Sequence, residues 1–235
     1  GKRQIEEVVV TATKRSDSIQ DISMSVTALG SEQLALGGVN DLSRLEALVP
    51  GMQFGSSGDE ARIAIRGTRT NNVGTEAEQV VGIFEDGVYV PTSTQAIGSY
   101  VDLQRIEVLR GPQGTLYGRN TFGGTINIIS NEPQFDEVSG YVHALAGTYN
   151  RRKFEGVVNV PLTDTLAFRL AGMMDEHDGY IENTMIAGPS DDMNDQDIQY
   201  VRASLKWAPS DDFDTTFRMV KTEKDTNGSG IWGYQ

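Results

Sequence analysis

"RGPQGTLYGRNTFGGTINIIS", Arg110 to Ser130, packs five glycines, one proline and two arginines into a segment that runs straight into an apolar strand. Glycine at that density marks backbone that bends sharply or lies close against other backbone. A phosphate cradle needs a glycine-rich turn ending in Lys-Ser/Thr, or G-x-G-x-x-G opening a helix, and neither spacing is present. The stretch reads as scaffold, and its meaning depends on what flanks it.

Upstream, the chain reads as a mixed α/β unit. "IEEVVVTAT" (Ile5 to Thr13) is a short β-prone run and "MSVTAL" a second. In "NDLSRLEALVPG", Leu42, Leu45 and Leu48 recur at helical spacing behind an Asn40 cap, and Pro50-Gly51 stops the helix. "ARIAIRG" alternates, with Arg62, Ala64 and Arg66 on one face and Ala61, Ile63 and Ile65 on the other, as in a half-buried strand. "VVGIFEDGVYV" holds two strands joined at Asp86-Gly87, a dipeptide that tolerates a tight hairpin. "RIEVLRG" and "GTINIIS" complete the set.

Downstream of "NEPQFDE" the pattern changes, which places a boundary near Pro133. "SGYVHALAGTY", "KFEGVVNVPL", "LAFRLAGMM", "IQYVRASLKWA" and "FDTTFRMVKTE" are five longer strands of alternating character. Leu166, Phe168 and Leu170 share a face opposite Arg169. Val201, Ala203, Leu205 and Trp207 share one opposite Arg202 and Lys206. The turns "TDT" and "PSDD" are short, whereas Asp175 to Asp197 is a long loop with eight acids and no Lys or Arg. Short turns on one rim and long loops on the other are how outer-membrane barrels are built.

Composition narrows the function. A net charge of −13, from 33 acidic against 20 basic residues, argues against a nucleic-acid backbone as partner, because phosphate binding needs clustered Lys and Arg. With no cysteine, thiolate metal sites and cysteine nucleophiles are excluded together. The two histidines, His143 and His177, sit in no catalytic context; His177 is expected to be exposed and His143 to be a strand residue. No catalytic residue, cofactor or metal site is expected. The acidic "SDDMNDQD" lacks EF-hand spacing and reads as a solvated loop. A mean hydropathy of −0.35 is compatible with a barrel, whose strands alternate sides. The opening "GKRQIEE" has no secretory-leader pattern and suits a processed or trimmed N-terminus.

"EEVVVTA", "LSRLEALVPG", "IRG" with "EDGVYV", "RIEVLRGPQGTLYGRNTFGGTINI" and "VNVPLTDTLAFRLAG" with its "DGY" together resemble the TonB-dependent outer-membrane transporters of Gram-negative bacteria. The resemblance implies an α+β plug domain, a small mixed sheet with short helices, followed by antiparallel β-barrel strands. It divides the chain into a TonB-box segment (1–13), a plug (14–132) and about five barrel strands (133–235). The family closes about 22 strands, so the barrel is incomplete here and the chain is expected to be part of a longer protein. The family commonly has alanine where Thr121 stands.

The resemblance further implies energised uptake of a scarce solute, such as a siderophore, cobalamin, heme or oligosaccharide, across the bacterial outer membrane. The implied partners are TonB, an extracellular small-molecule or oligomeric solute, and outer-membrane lipid, with no nucleic acid. Glu6, Glu7, Val8, Val9, Val10, Thr11 and Ala12 would be gripped by TonB as an added strand. Arg110, Gly111, Pro112, Gly114, Tyr117, Gly118, Arg119, Gly123 and Gly124 would contact the barrel wall, the arginines reaching its carboxylates. Arg69, Asn71, Asn72, Thr92, Ser93, Thr94 and Gln95, in two outward loops, are the candidates for solute contact. The alternatives are a structural or adhesive barrel without energised transport, and a secreted carbohydrate-processing enzyme with β-domains.

Overall fold

The computed structural model describes residues 9–10, 17–18, 25–39, 41–57, 60–70, 79–92, 100–182 and 192–228. It divides the chain into two compact units, Gly1–Ser130 and Asn131–Gln235.

In the first unit β1 (Val9–Val10) pairs antiparallel with β2 (Asp17–Ser18). Strand β3 (Val26–Gly30) leads into helix α1 (Ser31–Leu36), where the Gln33 side chain turns back to accept the Gly30 N–H at 3.1 Å. This helix has one buried residue, Leu34, and so no apolar period to announce it in the sequence. The expected helix around Leu45 is a 3-10 helix, Leu42–Ala47. Its leucines repeat every third residue, which is the pitch of a 3-10 turn, not an α-turn; Leu42 and Leu45 are fully buried. Its cap is Asp41, one residue beyond the expected Asn40: the Asp41 carboxylate accepts the Ser43 N–H at 2.7 Å.

A hairpin follows, β4 (Met52–Ser57) with β5 (Glu60–Ile65). Strand β5 departs from half-burial. Ala64 is buried along with Ala61, Ile63 and Ile65, so the arginine side is covered there, and Arg66 lies past the strand end at φ 52°. Strands β6 (Val81–Glu85) and β7 (Val88–Tyr89) form the expected hairpin, with positive φ at both Asp86 (48°) and Gly87 (84°). Strand β8 (Leu103–Arg110), helix α2 (Gly114–Tyr117) and strand β9 (Gly124–Ser130) complete the unit.

The main sheet runs β3-β8-β9-β6-β7. Strands β6 and β9 are parallel and the other neighbours antiparallel, which is the mixed sheet expected. Ile106 and Val108, Ile126 and Ile128, Val81 and Ile83 project from one face and pack with Leu42, Leu45, Val49, Ile63 and Ile65 into the apolar core. The burial of those side chains is the main stabilising term of this unit.

The second unit is an in-order antiparallel meander of β10 (Ser139–Ala146), β11 (Arg152–Thr163), β12 (Leu166–His177), β13 (Gln196–Ser210) and β14 (Phe213–Asp225). All five strands stand where the alternation put them. The long loop is shorter than expected, because Asp175–His177 belong to β12 and Gln196–Asp197 to β13, paired across it. The "PSDD" turn likewise shrinks to Asp211-Asp212: β13 runs on to Ser210 past a register shift after Trp207.

Candidate functional site

The second face of the N-terminal sheet is polar. In register, Ala28, Glu107, Asn127, Phe84 and Tyr89 form one row across all five strands. Over this row lies the glycine-rich segment of residues 110–124. It leaves β8 at Arg110 and makes the single turn α2. It closes on itself through Gly111 N–H to Gly123 O at 3.1 Å and Gln113 N–H to Thr121 O at 2.9 Å, and Gly123 N–H ties it to Val80 O at 2.7 Å.

Beneath this lid sits a network of polar side chains. Glu107 is fully buried and accepts from Arg105 Nε at 2.8 Å. The Asn127 amide donates to the Tyr117 hydroxyl at 2.7 Å and more distantly, at 3.5 Å, to Glu107 Oε2. The Tyr117 ring lies 5.0 Å from Phe84, which is 5.4 Å from Tyr89, and the Asn120 amide donates to the Tyr89 hydroxyl at 3.1 Å. Burial raises the Tyr117 phenol above its ordinary pKa, and the Glu107 charge adds to that against the opposing bond from Asn127. The group therefore stays neutral at physiological pH. Tyr117→Phe is expected to destabilise this unit by about 1–3 kcal/mol, the cost of stranding the buried Asn127 donor, and denaturant unfolding of the two proteins measures it.

Two glycines make the lid fit. At Gly124, where β9 begins, φ is 152° and an added Cβ would stand 2.4 Å from Leu109 O and 2.9 Å from Ile65 Cδ1. At Gly82 in β6 an added Cβ would stand 2.6 Å from Thr121 Cγ2, so β6 has no side chain where the lid crosses it.

The other expected site residues fall as follows. Arg110 is tied within its own unit, Nη1 donating to Pro50 O at 3.2 Å. Pro112, Gly114, Gly118 and Arg119 are exposed and Gly111 is half-buried. Tyr117, Gly123 and Gly124 belong to the lid and its seat. Val9 and Val10 form β1; Glu6, Glu7, Val8, Thr11 and Ala12 lie outside the described residues. Arg69 is exposed and Thr92 half-buried, while Asn71, Asn72, Ser93, Thr94 and Gln95 lie outside the described residues.

In the second unit one face exposes apolar side chains, while the other buries polar residues among apolar ones. On β13, Ile198, Tyr200, Arg202 and Ser204 are buried, and Arg202 Nη1 donates to the Tyr200 hydroxyl at 3.0 Å. The alternate residues Val201, Leu205 and Trp207 are 49%, 38% and 47% exposed. In register, Trp207 faces Leu166 on β12, Leu205 faces Phe168 on β12 and Phe217 on β14, and Ala203 between them faces Leu170 and Met219, which continue the same apolar surface. At the end of the sheet away from the short turns, a hollow of about 670 Å³ is lined by Asn150, Arg152, Glu176, Asp178, Asp192 and Asp195 among others. Contrary to expectation, His177 is half-buried there. Its ring lies 6.3 Å from that of Tyr180 and its Nδ1 2.9 Å from Asp178 O. Among the described residues no group of three or more His, Cys, Asp or Glu is placed to hold a metal ion.

Sequence reasoning missed the Arg105–Glu107–Asn127–Tyr117 network. Its signal was available: Arg105 and Glu107 alternate with Ile106 and Val108, so "RIEV" carries one polar face as well as one apolar face.

A small α+β unit with a lidded mixed sheet, followed by antiparallel strands that expose an apolar face and bury Asn159, Asp175 and Arg202 among apolar residues on the other, is the pattern of plugged outer-membrane barrels. Residues 18–125 match the family described as TonB-dependent Receptor Plug Domain. The pesticin receptor of Yersinia pestis is 31% identical over 210 residues, covering 87% of this chain and 30% of that protein. The ferrioxamine B receptor of Salmonella typhimurium is 30% identical over 171 residues, covering 69% and 23% respectively. The crystal structure of the ferric yersiniabactin uptake receptor FyuA from Yersinia pestis superposes with a TM-score of 0.76 at 27% identity, covering 85% of this chain and 31% of that one. The chain belongs to the TonB-dependent outer-membrane receptors, and it spans about three-tenths of the length of the first curated relatives it matches. These relatives are named as receptors or transporters.

Proposed function

We propose that this chain is the plug and the first wall strands of a transporter in the bacterial outer membrane. It takes up a scarce solute, with a ferric siderophore as the leading class, when TonB pulls on residues 6–12. Residues 1–13 are the TonB box, the rest of the unit that ends at Ser130 is the plug, and the unit from Asn131 onward is barrel wall. Residues of the glycine-arginine segment bear on the wall, and the loops carrying Arg69–Asn72 and Thr92–Gln95 face the solute.

The observation that carries this reading is the edge of the apolar surface on the second unit. Phe154 and Met174 are the last apolar residues of the exposed face on β11 and β12, before Arg152 and Glu176. On β13 the last is Val201, followed by Gln199, and on β14 it is Met219, followed by Lys221. The edge thus falls by four residues, two steps of the exposed face, over three strand spacings. That is about 13 Å along the strands against about 14 Å across them, an inclination of roughly 40–45°. Membrane strands tilt by about 35–45°, so a flat bilayer surface would cut this sheet along that line.

Leu170 lies inside the band. Leu170→Arg is expected to destabilise the receptor in lipid by about 2–4 kcal/mol, measured by urea unfolding in vesicles, while Leu170→Ala should cost less. Equal costs would mean that this face does not meet lipid. Uptake itself is tested by deleting residues 6–12 and following entry of radiolabelled ferric siderophores into cells that have no other receptor for them. Unchanged uptake would remove the transport reading.

A further inference from the structure

The eight residues between the two sheets, 131–138, are fastened to the wall of their own unit by side chains from three strands. Asn159 on β11 is fully buried and uses both ends of its amide. Its Oδ1 accepts Gln134 N–H at 2.9 Å, and its Nδ2 donates to Gln134 O at 3.0 Å and to Glu137 O at 2.9 Å. One side chain thus does for this segment what a neighbouring strand would do, pairing its backbone donor and acceptor. Glu132 bridges the last two strands of the sheet, to Lys206 Nζ on β13 at 2.5 Å and Arg218 Nη2 on β14 at 3.5 Å. The Phe135 ring lies 6.0 Å from Lys206 Nζ. One residue earlier the allegiance differs: Ser130 N–H donates to Asp86 Oδ1 at 2.9 Å, within the N-terminal unit.

We propose that residues 131–138 are a fixed anchor: Asn159, Glu132, Lys206 and Arg218 hold this segment on the wall while the N-terminal unit is under tension, so that unravelling driven from the N-terminus stops at Asn131. Three properties suit that role. The contacts reach three separate strands, so no single hairpin bears the load. The Lys206–Glu132 contact is a short charge-assisted bond, stronger than a neutral one, and Arg218 adds a second, longer ion pair. The Asn159 amide is buried, so water does not compete for it. Burial works to raise the Glu132 carboxyl, but the hydrogen bonds and charges of Lys206 and Arg218 overcome it and hold the group below its usual pKa. It therefore stays ionised in the neutral range. These four are positioning residues and touch no solute.

The inference rests on the reading that load enters at the N-terminal segment, and the test separates the two. A cysteine introduced at Gly1, with any cysteine elsewhere in the receptor replaced by serine, takes a chemical pulling handle, so TonB is not needed. The full-length receptor in a lipid bilayer is pulled until residues 1–130 have unravelled. The wild type is expected to stop there. The double variant Asn159→Asp, Glu132→Gln, which turns two amide donations into repulsions and removes a charge, is expected to lengthen by a further 26–29 Å or so, eight residues at about 3.3–3.6 Å each. Glu132→Gln alone lies outside the strands and keeps the side-chain shape; it should let go at lower force than the wild type. Equal final lengths in wild type and double variant, whether both short or both long, would overturn the anchor. Loss of TonB-driven uptake in cells, with these traces unchanged, would count against the transport reading and leave the anchor standing.

Discussion

Gly124→Val is expected to keep the N-terminal unit from reaching its native packing. The residue sits at φ 152°, a conformation that side-chain-bearing residues rarely adopt, and the first added carbon would lie 2.4 Å from Leu109 O and 2.9 Å from Ile65 Cδ1. Strain of about 1–3 kcal/mol from the backbone adds to about 1–3 kcal/mol from overpacking. Total stabilities are only about 5–15 kcal/mol, so the sum is a large share. Limited proteolysis in detergent provides the readout: new cleavage within residues 25–130, with the 139–225 strands still protected. Gly114→Ala is the contrast, because nothing lies within 4 Å of a Cβ there and the residue opens a helical turn, so no loss is expected. A Gly124→Val protein as resistant as wild type would mean that β9 does not approach β8 as closely as described.

Val9→Pro is expected to abolish energised uptake while leaving solute binding at the cell surface intact. Proline deletes a backbone donor and resists strand pairing, and pairing is how TonB is proposed to hold this segment. A handful of backbone bonds at about 0.5–1.5 kcal/mol net each makes a weak hook, so one lost donor matters. Val9 also pairs with Ser18 in its own chain, which supplies the control. Ser18→Pro disturbs that hairpin and spares the hook, and uptake should persist. Uptake lost in both variants would assign the effect to the hairpin; uptake kept in Val9→Pro would move the hook elsewhere.

Where the sequence speaks in a simple period, the fold can be read from it. The five wall strands were legible because polar and apolar residues alternate for up to 15 residues in β13, and an alternation that long fits little else. Asp86-Gly87 was legible because few dipeptides accept two positive φ values. Helix α1 was not, since a six-residue helix with one buried side chain has no period to detect. Leu42, Leu45 and Leu48 mark the right place but not the helix type, because a spacing of three fits both a 3-10 turn and an α-helix. For the candidate site, the glycine-arginine segment could be recognised as scaffold, but its neighbours could not be named. Glu107 and Asn127 are 20 residues apart in the chain and meet Tyr117 only because β8 and β9 are adjacent strands. Asn159 gave no signal at all; one asparagine in a strand looks like any other until a segment 25 residues upstream crosses it.

The exposed apolar face of the wall also constrains the life of the protein before it reaches its membrane. A sheet that hides arginine and displays leucine has no comfortable arrangement in water: folding early would leave an oily skin exposed, and staying unfolded would leave long alternating segments free to pair with other copies. Between synthesis and insertion such a segment is prone to aggregate, and a bilayer supplies the solvent in which its pattern makes sense.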